Sequence, residues 1–96
     1  MKFEEWTKSE DPEKAEELRR RFKMAINNPI RRKILTELYG GSRRAHELAD
    51  KLGVEEKLLK YHLDILTKGS CIEFREDRIY LTEEGRVLTE LILSRG

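Results

Sequence analysis

The stretch from Ala45 to Ser70, AHELADKLGVEEKLLKYHLDILTKGS, limits the fold of this chain more than any other part of it. Leu48, Ala49 and Leu52 recur at helical spacing, with Arg44, Glu47, Asp50 and Lys51 facing away. Gly53 follows, where a helix C-terminus favours a residue that tolerates positive φ, and Val54 is a small apolar plug behind it. Leu58, Leu59, His62, Leu63, Ile65 and Leu66 then repeat with a helical rather than an alternating period, until Gly69. Two short amphipathic helices joined at a glycine turn make a helix-turn-helix, a unit that holds its second helix out towards a groove. With Leu59, Leu63 and Leu66 inward, the outer face of that helix carries Glu56, Lys57, Lys60, Tyr61 and Asp64.

The flanking sequence supplies further elements. Phe3 and Trp6 stand among charges in residues 1–10, an N-terminal arm that either staples onto the domain's own surface or meets a partner. Asp11-Pro12 is a helix start with Glu13 in the first turn, and the spacing predicts a helix to about Asn27 with Ala15, Leu18, Phe22, Ala25 and Ile26 inward. Glu16 and Glu17 precede Arg20 and Arg21 by four, which suits an exposed, salt-bridged face. Asn28-Pro29 repeats the start signal, and residues 29–39 place Ile30, Ile34, Leu35 and Leu38 on one face before Gly40-Gly41. Arg31, Arg32 and Lys33 begin that helix, where they can pair with Glu37 or the acidic arm. Ser42, Arg43 and Arg44 are expected to open the next helix, where backbone N–H groups and guanidinium groups together form a phosphate clamp.

After Gly69-Ser70 the period changes. Cys71, Ile72 and Phe74, then Ile79, Tyr80 and Leu81, form two short runs around the polar tip Arg75-Glu76-Asp77-Arg78, which predicts a two-stranded hairpin. Arg75 and Arg78 flank the tip and suit a minor groove or a phosphate; Glu76 and Asp77 favour a wing that only covers the core. Thr82 is the cap of a last helix, with Glu83 and Glu84 in its first turn. Val87, Leu88, Leu91, Ile92 and Leu93 give that helix an apolar surface broader than one domain needs.

The segments NPIRRKIL, HELADKLGV and LLKYHLDIL, then Gly69, two short apolar strands and LTEEG, occur in this order. Over residues 29–81 the chain therefore resembles the winged-helix DNA-binding domains of the ArsR type and of related archaeal regulators. The resemblance implies a mainly α fold with a small β-hairpin, a winged helix-turn-helix with extra N-terminal and C-terminal helices. Its parts would be a single domain over 11–96, with the helix-turn-helix at 44–68, the wing at 71–81 and the C-terminal helix at 82–94. It also implies duplex DNA as partner, a phosphate contact at the 42–44 corner, and terminal helices paired across a two-fold axis. For that homodimer interface the expected residues are Phe22, Val87, Leu88, Leu91 and Ile92. The recognition helix departs from the family, because positions that are often Ser or Thr near its start are Glu55, Glu56 and Lys57.

Composition narrows the function classes. The chain has 96 residues, 41% of them charged, with Gln absent, Asn only at 27 and 28 and a formal net charge of +1. One domain and a thermophilic, archaeal source are expected from this. The charge is unevenly spread: Met1–Glu17 is acidic, whereas Arg19–Lys33 carries seven basic residues and no acidic one. A phosphate backbone responds to that local density rather than to the sum. No apolar run approaches a signal peptide or a membrane span, so a soluble, cytoplasmic protein is expected.

No enzyme, cofactor or metal is expected. His46-Glu47 begins like HExxH, but Asp50 stands where the second His belongs. The lone Cys71 provides no metal knuckle, and His62 suits helix packing better than ligation. The leading expectation is a dimeric winged-helix regulator in which Lys57, Lys60 and Tyr61 enter the major groove. Arg43 and Arg44 would clamp the backbone, with Arg31, Arg32, Arg75 and Arg78 in support. The competing expectation is a winged-helix protein-interaction module, favoured by Glu55, Glu56, Asp64, Glu76 and Asp77. A small-ligand sensor at a dimer interface is the third, without convergent polar groups to support it.

Overall fold

Asn28 fixes the first corner of the fold. Its backbone is extended, and its Oδ1 accepts from the N–H groups of Ile30 at 2.9 Å and Arg31 at 3.1 Å. Those two donors have no partner inside the helix, and Pro29 has no N–H to satisfy, so the cap is complete. Helix α2 runs Pro29–Tyr39 from this cap, and α1, Pro12–Ile26, precedes it. The computed structural model describes residues 12–95. The arm with Phe3 and Trp6 and the expected Asp11 cap lie outside the described residues.

The helix-turn-helix forms as its sequence requires. Helix α3, Ala45–Leu52, begins with Glu47 Oε1 accepting from the Arg44 N–H at 2.8 Å. It ends at Gly53, φ +66°, a conformation in which a Cβ would be strained. There Gly53 N–H donates to the Asp50 carbonyl at 3.3 Å and Val54 N–H to the Ala49 carbonyl at 3.1 Å, the paired bonds of a Schellman end. Helix α4, Glu56–Lys68, follows after Glu55. Leu59, Leu63 and Leu66 are buried in one cluster with Ile34, Leu35, Leu48 and Ile79. Each such burial contributes about 1.5–3 kcal/mol, whereas an exposed i,i+4 pair contributes about 0.3–0.5 kcal/mol. The apolar seat therefore sets which face of α4 is presented.

The sheet departs from expectation by one strand. Arg43–Arg44 form β1 instead of opening a helix, and they pair antiparallel with β3, Arg78–Leu81. Strand β2, Ile72–Arg75, lies on the other side, giving the order β1–β3–β2. The physical reason is the free edge of β3: the extended chain entering α3 satisfies its backbone groups. Within the hairpin, Arg75 pairs with Arg78 across the two-residue turn Glu76-Asp77, and Glu76 has φ +57°.

Helix α5, Glu83–Arg95, closes the domain. Thr82 caps it, accepting from the Gly85 N–H at 3.0 Å, and Thr82 N–H donates to the Cys71 carbonyl at 3.0 Å. A Cβ on Gly85 would stand 1.9 Å from that same carbonyl oxygen, so α5 approaches the start of β2 through a gap only glycine leaves. Three central helices, the small sheet and an added helix at each end make a winged helix-turn-helix.

Candidate nucleic-acid interface

With Leu59, Leu63 and Leu66 turned inward, α4 presents Lys57, Lys60, Tyr61 and Asp64 to solvent. Tyr61 is 61% exposed. Among the described residues, neither Lys57 nor Lys60 has an ion pair, so both ammonium groups are open to an incoming anion. Asp64 is paired within the helix with Lys68 at 3.0 Å. Glu55 and Glu56 are exposed at the helix start, as the sequence suggested. Leu58, part of the same helical apolar pattern, is 42% exposed, because it lies beyond the edge of the stripe formed by Leu59, Leu63 and Leu66.

Directly behind Tyr61 lies His62, 4% exposed, with the two rings 5.1 Å apart in an edge-on arrangement. Its Nδ1 is buried without a hydrogen-bond partner. Burial, and secondarily the charge of Arg31, holds the imidazole below its ordinary range. His62 therefore packs as a neutral side chain beneath the candidate reading face. Cys71 is fully buried as well, and burial pushes its thiol up to about 11, which makes it a small core residue rather than a reactive thiolate.

The arginines separate sharply in role. Arg32 donates from Nη1 to the Ile26 carbonyl at the end of α1, so it caps a helix instead of extending outward. Arg31 is half-buried with its Nε enclosed and without a partner. Arg43 and Arg44 are consecutive on β1, and consecutive strand residues point to opposite faces. Arg43 shares the core-side row with Ile79 and pairs with Glu37 of α2 at 3.9 Å, where Lys51 also meets Glu37 at 3.6 Å. Arg44 lies on the outer face, 3.0 Å from Asp77. Arg43 and Arg44, expected together at the DNA backbone, thus point to opposite faces of a strand rather than opening a helix side by side.

The wing arginines are held too. Arg75 meets Glu73 at 2.6 Å and lies over the Tyr80 ring, 5.0 Å from its centre. Arg78 donates from Nε to Ser42 Oγ at 2.9 Å and from Nη2 to the Ser42 carbonyl at 3.1 Å, tying the wing to the strand before α3. Ser42, Glu37, Glu73 and Asp77 are the partners of these cations, and sequence spacing alone does not pair them. Only the register of β1 on β3 brings Ser42 to Arg78, and nothing local in the sequence announces that pairing.

Of the expected dimer residues, Leu88 is 4% exposed and belongs to the domain's own core. Phe22 and Ile92 are half-buried against that core, and Val87 and Leu91 are half-buried on α5. Leu93, by contrast, is 44% exposed. Among the described residues there is no group of three His, Cys, Asp or Glu side chains able to hold a metal ion. Among them also, no helix is long and apolar enough to cross a membrane.

The family profile described as bacterial regulatory protein, arsR family, matches residues 28–68. That span holds α2, β1 and the two helices of the helix-turn-helix, and stops before the hairpin and α5. The transcriptional repressor SdpR of Bacillus subtilis (strain 168) is 38% identical over 48 residues, which are 50% of this chain and 53% of that protein. The chain spans about half the length of the curated relative it matches.

Proposed function

We propose that this chain, an ArsR-like winged-helix protein, is a DNA-binding transcription regulator that acts in the cytoplasm and binds a specific duplex site as a homodimer. The observation that carries the reading is the outer face of α4. Lys57, Lys60 and Tyr61 stand opposite the apolar seat, exposed, with neither lysine paired among the described residues. In the major groove, Lys57 and Lys60 meet phosphates or guanine edges, and Tyr61 hydrogen-bonds or packs against a base. Arg44 and the wing arginines add backbone contacts; Arg31 acts from behind α4, and Arg32 and Arg43 support the scaffold. The homodimer reading is supported by the apolar residues left partly open on α1 and α5, Phe22, Val87, Leu91 and Leu93.

The test is selection of duplex sites from a random pool, with the molar mass of protein and complex measured by light scattering. The reading expects an enriched pseudo-palindrome bound by two copies. A pool that stays random, or a single copy bound, contradicts specificity or dimerism respectively.

A second reading has its own support. Leu58, Tyr61 and Phe74 are large exposed side chains, and Glu55 and Glu56 keep α4 from forming a continuous basic stripe with Arg43, which faces Glu37. These suit a protein-interaction module whose α4 meets another chain. Retention of DNA binding by a Leu58→Ala variant, with loss on Lys60→Ala, favours the DNA reading.

A further inference from the structure

We infer that the outer face of the wing is a phosphate site held shut by its own carboxylates: Asp77 and Glu73 occupy a row of arginines that a DNA backbone displaces them from. The choice of DNA as occupant rests on the function proposed above; the row itself does not.

The row follows from strand register. Arg44 on β1 pairs with Arg78 on β3, and Arg78 pairs with Arg75 on β2. Residues directly opposite in an antiparallel sheet point to the same face, so the three arginine side chains leave one face of the sheet in a row across all three strands. With strands roughly 4.8 Å apart, the row spans about 10 Å. Like charges opposite one another destabilise a sheet, so the arrangement calls for anions, and the chain provides them from within. Asp77 reaches Arg44 at 3.0 Å from the hairpin turn, and Glu73 reaches Arg75 at 2.6 Å from two residues back on the same strand. Arg78, in the middle, is hydrogen-bonded to Ser42 and, among the described residues, has no ion pair within 4 Å.

Two properties make these carboxylates displaceable. Both pairs are solvent-exposed, where ion pairs are weak and screened. A phosphate backbone offers several oxygens at once to guanidinium groups, whose fork geometry suits them. Glu47 also lies near Arg44 and Arg78, but it is committed to the Arg44 N–H as the start of α3 and stays in place. Glu73 and Asp77, by contrast, are bonded through their carboxylates to the arginines of the row and cap no helix. The latch thus lowers affinity for stray polyanions without removing the cations.

The experiment compares the parent with Asp77→Asn/Glu73→Gln, against long-chain inorganic polyphosphate and random duplex DNA. A control, Asp50→Asn/Glu16→Gln, removes the same charge from exposed positions on α3 and α1. The unlatched variant is expected to bind polyphosphate at least threefold more tightly than the control, and adding Arg44→Ala to it is expected to abolish the gain. Tighter binding of duplex DNA as well supports the regulator reading. A gain on polyphosphate with no duplex binding by any protein keeps the site and removes that reading. No gain on polyphosphate beyond the control overturns the latch, whatever duplex DNA does.

Discussion

The molecule carries two cationic surfaces that differ in what their charges do at rest. On α4, Lys57 and Lys60 are exposed and, among the described residues, have no ion pair. On the sheet and its approaches, Arg43, Arg44, Arg75 and Arg78 are each held, by Glu37, Asp77, Glu73 and Ser42. The difference follows from architecture. A helix seated by Leu59, Leu63 and Leu66 turns its remaining positions outward whatever they are. A narrow three-stranded sheet places every outward residue beside a cross-strand neighbour, so a cation there acquires partners by register. Among the described residues, the α4 lysines are thus unpaired at rest, whereas the sheet arginines are engaged. A nearly neutral chain, +1 overall, can in this way still present local positive charge.

Substitutions are expected to act differently on the two surfaces. The largest effect is expected at the seat of the sheet. Gly85→Ala drives a Cβ into the Cys71 carbonyl, a backbone atom that cannot move without shifting β2. Overpacking of this kind costs about 1–3 kcal/mol or more, so thermal unfolding should show a clear drop in Tm, with the hairpin amides losing hydrogen-exchange protection before those of α4. Equal loss across the molecule would show that the sheet and α4 form one unit and would weaken the contrast.

The next test acts on α4 from behind. His62 is buried neutral, with its basicity lowered, so the unfolded state binds its proton first as pH falls. Stability is expected to be unaffected above the ordinary histidine value of 6.5 and to decline as pH drops below it. His62→Leu should flatten that part of the Tm profile. Glu47, held low chiefly by the Arg44 N–H and titrating well below this window, separates the two effects. A profile unchanged by the substitution would mean that another group titrates there.

The smallest effect is expected at Arg32, an arginine that serves the scaffold. Removing its bond to the Ile26 carbonyl in Arg32→Ala should cost about 0.5–1.5 kcal/mol of stability. Duplex affinity should hardly change. A loss of affinity without loss of stability would return Arg32 to the binding surface.

Much of this was legible in the chain. The spacing of Leu48, Leu52, Leu59 and Leu63 and the glycine at 53 announce the helix-turn-helix, because helix period and a left-handed turn are local properties. Asn28-Pro29 and Thr82 are equally local, and both cap helices as their types suggest. The exposure of Lys57, Lys60 and Tyr61 followed from the same periodicity. What the sequence did not disclose depends on distant pairing. Arg43-Arg44 looked like a helix start, since their strand character comes from the edge of β3, some thirty-five residues away. The partners of the arginines are hidden for the same reason. Leu88 looked like surplus apolar surface on α5, but its side chain completes the core. Gly85 carried no local signal; its necessity comes from the approach of β2.

The central claim is that the lysines of α4 provide the ready charge for duplex DNA. The most direct measurement is the salt dependence of binding to random duplex DNA by the parent and by Lys57→Ala/Lys60→Ala. Each phosphate neutralised contributes about 0.9 to the slope of log affinity against log salt. The account predicts steep salt dependence for the parent and a slope lower by about 1–2 in the variant. Identical slopes, or no binding by the parent even at low salt, would contradict it.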